Sequence, residues 1–246
     1  EVRGFFVRMG HLQPSPIVTI VITCNDQGRT YKAEDRMNRD ALYAVLANYL
    51  EALNAGDASR VNWAASPLNS ENNVMLEVGD GLWGTILRVG DYQLKFADTA
   101  TKQVGYFGTV HEAIEESAFT LRLKVNDQGQ VCESEMVVVR QSDSGIKFEN
   151  CRYWDKPILN ADVEAPVSRA EMVKLSDGYF DTLQLNDGTI HTKFHPDCNR
   201  VENGVQTTRN PEFAKIVPVS ALGCEEQFRM GNYRYDDRLR ARRFPL

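Results

Sequence analysis

The sequence predicts an α+β protein of two related modules, each a long amphipathic helix followed by antiparallel strands. A helical stripe occurs twice. Apolar or small residues at 42, 45, 46, 49, 50 and 53 recur at 172, 175, 176, 179, 180 and 183, the same spacing displaced by 130 residues. The text around the stripe also repeats. Tyr49-Leu50-Glu51-Ala52-Leu53 is echoed by Tyr179-Phe180-Asp181-Thr182-Leu183, and an aromatic stands eight residues before a Glu-Asn pair in both copies: Trp63 before Glu71-Asn72, Phe194 before Glu202-Asn203. Finally, the first helical stretch gives way to strand-like runs joined by the hairpin signal Asn126-Asp127-Gln128-Gly129.

Taken in order, residues 1–32 read as an N-terminal extension with β-like stretches around Phe5–Val7 and Ile17–Ile22. The first module, 33–141, opens with a helix from near Ala33 to Asn54 that stops at Gly56. Asp57 and Ser59 start a short second helix that reaches Trp63, and Asn69–Glu77 follows as a strand. A turn at Gly79-Asp80-Gly81 precedes strands at Gln103–His111, Ala118–Val125 and Gln130–Arg140. Residues 142–166 form a linker broken by Pro157 and Pro166 and anchored by Tyr153 and Trp154. The second module, 167–246, begins at a capping box, Ser168 to Glu171, and its helix ends near Asn186-Asp187-Gly188. His191–Phe194 match the short second helix and Asn199–Thr207 the first strand. Pro211 and Pro218 then mark a loop; by analogy with the first module the closing strands are missing, so the module is truncated, or a neighbouring chain or the N-terminal extension completes its sheet.

Composition excludes several classes. With 42% apolar and 25% charged residues in 246, the chain is of ordinary globular type. A net charge of −6 argues against a nucleic-acid surface, and the Arg-rich tail from Arg234 to Arg243 is interleaved with Asp236 and Asp237. No apolar run approaches the roughly 20 residues of a membrane span. The five cysteines fit no Cys-x-x-Cys pattern; Cys198 and Cys224 share the second module and are read either as a bridge or as buried thiols. The chain starts at Glu1 rather than Met, which suits a processed or trimmed N-terminus, and the lack of an Asn-x-Ser/Thr sequon favours the cytoplasm over a glycosylated exterior. There is no Gly-x-Ser-x-Gly, P-loop or Rossmann fingerprint, so no nucleotide cofactor is predicted. His191, His195, Asp197 and Cys198 match no established ligand motif, and no metal is predicted.

The segment from Tyr49 to Asp57 resembles the first-helix segment of ketosteroid isomerases, members of the nuclear transport factor 2-like, or SnoaL-like, superfamily. The second-module text from Cys198 to Gly204 looks like that of tandem modules in bacterial and fungal proteins. The resemblance covers about 33–141 and, less completely, 167–246. It implies that each module is a cone, a strongly curved antiparallel sheet wrapped around helices with a pocket inside. It places the family's oxyanion-donating tyrosine on Tyr49 and Tyr179, and its catalytic acid on Glu71 and Glu202 when short gaps are allowed. Phe119 falls where the family carries a second oxyanion donor, a departure that speaks against steroid-type isomerisation in the first module. Dehydratases of this superfamily use a pocket histidine, which makes His195 a proton shuttle.

Such a pairing suits proton abstraction beside a carbonyl, which needs a base on one side and a donor for the enolate oxygen on the other. Arg200 and Glu202 alternate with Val201, so a strand would point both to one face. The expectation is a cofactor-independent enzyme on a small organic molecule: an isomerase, dehydratase, cyclase or carbon–carbon lyase. Glu202 would be the base, Tyr179 the oxyanion donor and His195 the shuttle. Arg200 and His191, with Tyr49, Glu71 and His111 in the first module, would bind substrate. The rival is a non-catalytic small-molecule-binding or assembly module, betrayed by Phe180 and Trp83 plugging the cavities. A second copy of the chain, as a homodimer, is the one macromolecular partner considered.

Overall fold

The computed structural model describes residues 5–6, 20–21, 38–113, 115–143, 146–151 and 167–231. The chain divides into two compact units, one built on Asp26–Phe148 and the other on Glu1–Asn25 with Glu149–Phe244. Tyr153, Trp154 and the Arg-rich tail lie outside the described residues, as do His11, Cys24 and the expected helix start at Ala33.

The unit Asp26–Phe148 is a helix on a sheet. Helix α1 spans Arg39–Asn54, and its N-cap Asn38 accepts a hydrogen bond from the Ala41 amide. Leu42, Leu46, Tyr49 and Leu53 of the stripe are buried, with Val45 and Leu50 packed against the same core. A single 3₁₀ turn, Ala58–Arg60, follows. Trp63 begins strand β3 (Trp63–Glu71) rather than closing a helix, and β4 is the short return strand Val74–Met75. The one-turn helix α2 (Leu82–Thr85) leads into β5 (Ile86–Asp98), a 13-residue strand whose mixed pattern hid it from the sequence reading. Strands β6 (Gln103–Glu112), β7 (Glu116–Val125) and β8 (Val131–Val139) complete the meander, with β7 and β8 paired antiparallel across the Asn126–Gly129 turn.

The six strands run in the order β4-β3-β8-β7-β6-β5, antiparallel throughout except for β3 against β8. This order corrects the cone expectation. The sheet ends in two separate edges, β4 and β5, and among the described residues no sheet is closed or strongly curled. Val104, Tyr106, Val110, Phe119, Leu121 and Leu123 on one face join the α1 core. On the other face Phe107, Thr109, Thr120 and Arg122 are buried too, so β6 and β7 are covered on both sides.

Among its described residues the other unit has no comparable sheet, which corrects the fold reading a second time. Here β1 (Phe5–Phe6) pairs with β2 (Ile20–Val21). Helix α3 (Arg169–Leu185) is capped by Ser168, whose hydroxyl accepts from the Glu171 amide, and it ends at Asn186 in the left-handed region. All six residues of its stripe, from Met172 to Leu183, are buried. The stretch 191–194 is irregular rather than helical, and 199–207 is a hairpin rather than one strand: β9 (Val201–Glu202) pairs with β10 (Val205–Gln206). Pro211 and Pro218 each open a short helical turn, and α4 (Pro211–Ala214), a 3₁₀ turn (Pro218–Ala221) and α5 (Cys224–Arg229) stand where the cone would need strands.

Phe96 lies across Gly105, its partner on β6, so closely that a β-carbon there would sit 1.8 Å from the ring. Gly105→Ala is expected to lower the unfolding free energy by about 1–3 kcal/mol through overpacking. Urea denaturation of the purified variant checks this, and parental stability would show that the ring does not depend on the missing β-carbon.

Candidate functional site

The repeated Glu-Asn is a hairpin turn in both units. After Glu71, Asn72 and Asn73 have φ of 49° and 66°; after Glu202, Asn203 and Gly204 have φ of 51° and 83°. Two consecutive residues in the left-handed region form the tight turn that matches strand twist, and Asn and Gly tolerate it best. Each glutamate is thereby the last residue of its strand, and each is buried.

In the sheet unit both Glu71 carboxylate oxygens are engaged. Oε2 accepts from the Leu82 amide at 2.6 Å, and Oε1 accepts from Arg140 at 2.8 Å. Arg140 also forks onto Glu112, donating to Oε2 at 2.6 Å and Oε1 at 3.1 Å, while Thr85 donates to Oε1 at 2.5 Å. Burial raises the Glu112 carboxyl, but the Arg140 and Thr85 hydrogen bonds outweigh it, so its pKa lies below the usual value. Tyr49 is fully buried. Its hydroxyl is 2.8 Å from Ser134 Oγ and packs near the Met136 sulfur, while its ring meets Trp63 and Trp83 edge-on. Burial pushes the phenol well above its ordinary pKa, and the Glu71 charge adds to that shift. Met136 is the β8 register partner of Glu71, so tyrosine and carboxylate do share one neighbourhood. His111 does not join them; its Nε2 faces Glu116 at 3.4 Å.

In the other unit Arg200 and Glu202 do share a face, as their alternation predicts, but as a buried ion pair. Arg200 Nε lies 2.6 Å from Glu202 Oε1, with both side chains almost fully shielded. Thr207, opposite Arg200 across the hairpin, donates to the same carboxylate oxygen at 3.2 Å. The guanidinium also hydrogen-bonds Gln227 and lies over the Phe228 ring, 5.2 Å from its centroid. Gln227 in turn donates to the Thr207 carbonyl at 2.7 Å. Tyr179 reaches this cluster through Phe228, at 5.2 Å between centroids, and also packs on Phe180 and Phe194.

The two expected histidines make local contacts. His195 accepts a hydrogen bond from the Asp197 amide on Nδ1 at 3.1 Å. His191 is exposed; its amide donates to Thr182, and its carbonyl packs so closely on Gly178 of α3 that no β-carbon would fit there. Arg140, Glu112, Ser134, Thr207 and Gln227 were not among the site residues that the sequence suggests. Only Thr207 had a visible signal, because the Asn203-Gly204 turn sets it across from Arg200. The others come from distant strands or helices, and no local pattern announces them. Among the described residues no group of His, Cys, Asp and Glu side chains converges as a metal site requires, and no helix is long and apolar enough to cross a membrane.

A family model described as a domain of unknown function (DUF8021) matches residues 165–246. No curated protein matches the chain. Among solved structures, AusH from Aspergillus nidulans is 15% identical, with 41% of this chain and 85% of that chain covered and a TM-score of 0.34. A protein of unknown function with a cystatin-like fold from Methylobium petroleophilum PM1 is 12% identical, with 54% and 98% covered and a TM-score of 0.35. A de novo designed protein with a curved β-sheet is 14% identical, with 42% and 88% covered and a TM-score of 0.33. These likenesses are partial and distant.

Tyr49→Phe is expected to cost about 1–3 kcal/mol, because it leaves the buried Ser134 hydroxyl without its partner. Tyr49→Phe with Ser134→Ala should recover part of that loss in a urea double-mutant cycle; additive losses would disprove the coupling.

Glu112 and Glu133 both have pKa values lowered in the folded protein, Glu133 because Arg122 and Lys124 outweigh its burial. Their stabilising contribution is therefore complete above the unfolded carboxylate value of about 4.3 and is lost as pH falls through the lowered folded values. Urea midpoints should fall progressively below about pH 4.5. Glu112→Gln should flatten that slope, and an unchanged slope would remove Glu112 from the linkage.

Proposed function

We propose that this protein is a small-molecule-binding module in which the two Tyr–Glu pairs are structural. One observation carries the reading: the carboxylates picked out as bases are held by protein donors. A general base must stand within about 2.6–3.2 Å of the proton that it takes. Glu71 spends both oxygens on Arg140 and the Leu82 amide, and Glu202 Oε1 is shared by Arg200 and Thr207. Trp83 packs against Tyr49 and Phe180 against Tyr179, which supports tyrosines held in aromatic packing.

A recess of about 440 Å³ beside the β3–β4 hairpin supports a ligand role. Pro67, Met75, Leu76 and Val78 give it apolar walls, and Glu77 and Asp80 give it acidic ones. Its volume is in the usual range for small-molecule sites, roughly 300–1,000 Å³. Asn69 also lines it, and the Asn69 Oδ1 atom is buried without a hydrogen-bond partner among the described residues. A small ligand with a cationic or N–H donor group suits the two carboxylates of this lining.

A second reading, a cofactor-independent acid–base enzyme of the isomerase, dehydratase, cyclase or lyase type, is favoured by the Arg200–Glu202 pair itself. Burying two charges beside an aromatic cluster is costly, and costly charge arrangements gather at functional sites. In that reading Glu202 is the base, Tyr179 the oxyanion donor, His195 the shuttle and Arg200 the anchor.

Glu202→Gln separates the two. If the pair is structural, the variant leaves Arg200 buried and uncompensated and loses about 3–5 kcal/mol of stability in chemical denaturation. Arg200→Met with Glu202→Leu should then restore much of it. If Glu202 is a base, Glu202→Gln keeps its fold and loses about 10²–10⁴-fold in turnover. Unchanged stability in Glu202→Gln would overturn the structural assignment.

A further inference from the structure

Cys198 and Cys224 lie in the unit that contains α3, on either side of the β9–β10 hairpin and the two proline-led turns. Both are free thiols and both are buried. The Cys224 thiol donates to the Cys198 carbonyl at 3.1 Å, which sets its sulfur against the Cys198 residue. Cys224 is the first residue of α5, held against the Cys198 segment from that side. From the other side Arg209 grips the same segment, donating to the Cys198 carbonyl at 2.8 Å and to the Pro196 carbonyl. The Arg209 amide also donates to the Leu222 carbonyl, two residues before Cys224, so the chain segments that carry the two sulfurs are held beside each other.

We propose that Cys198 and Cys224 are a redox-active dithiol that closes to a disulfide.

The two thiols are not equivalent. The neighbouring Cys224 thiol lowers Cys198, and the Arg200 and Arg209 charges lower it further against the opposing effect of burial. The Cys198 neighbour and burial both raise Cys224. Cys198 is also the more accessible, at 8% exposure against 2%. Cys198 is therefore the attacking thiolate. With a small-molecule disulfide RSSR as oxidant, Cys198–S⁻ attacks one sulfur, forming Cys198–S–S–R and releasing RS⁻. Cys224 then loses its proton and its thiolate attacks the Cys198 sulfur, closing Cys198–S–S–Cys224 and releasing the second RS⁻. The oxidant gains two electrons, the protein loses two, and two thiol hydrogens leave the protein.

The test exposes the reduced full chain to oxidised glutathione, blocks remaining thiols, and maps peptides without reduction. The expected product is a Cys198–Cys224 linked peptide, with Cys132 and Cys151 blocked as free thiols. Cys224→Ser should accumulate the Cys198–glutathione mixed disulfide, whereas Cys198→Ser should leave Cys224 unmodified. Closure of a loop this long should also raise the thermal midpoint, by about 5 °C or more, and dithiothreitol should reverse the rise. Cys224 linked to any other cysteine, glutathione resting on Cys198 in the parent chain, or glutathione trapped equally on either thiol would each overturn the proposal. Cys→Ala variants serve if the serine forms fail to fold.

Discussion

A buried glutamate at the end of a hairpin strand has to be neutralised by a guanidinium, and much of this structure is arranged around that need. The turn after each glutamate uses two residues with positive φ, which ends the strand abruptly and leaves the carboxylate inside. A buried charge without a partner costs several kcal/mol, so an arginine has to reach it. In the sheet unit Arg140 comes from just beyond β8, 69 residues away, and ties Glu71 to Glu112 at the end of β6. In the other unit Arg200 comes from two residues upstream and is held flat between Glu202, Thr207, Gln227 and the Phe228 ring.

That constraint decides how the Tyr–carboxylate pairs are to be understood. In the family that the first helix resembles, the pair faces a pocket across a closed cone. Here the same residue types come close, but the space between them is filled. Tyr49 spends its hydroxyl on Ser134 and its ring on two tryptophans, and Tyr179 sits among three phenylalanines. The sheet behind Tyr49 and Glu71 is open, with β4 and β5 at separate edges.

Local pattern was legible where one residue's neighbours in sequence are also its neighbours in space. Both long helices, their buried stripes, the Ser168 cap and the β7–β8 hairpin depend on contacts within a few residues, and the sequence displayed them. Strand β5 was missed because Gly90, Asp91, Gln93 and Lys95 interrupt its apolar residues, and its pairing with β6 shifts register twice. The 199–207 hairpin was read as one strand because the Asn203-Gly204 signal was assigned to a motif rather than to a turn.

By itself the sequence determined where the first long helix stops, where the second starts and stops, which face of each is buried, and that Arg200 and Glu202 share a side of their strand. These follow from periodicity and capping, which are short-range physics. Only the tertiary structure decided that the sheet stays open, that Arg140 reaches Glu71, that Gln227 and Phe228 clamp Arg200, and that Cys198 meets Cys224. Those outcomes depend on side chains brought together from distant segments, and a long-range partner leaves no mark in the spacing of residues around either end.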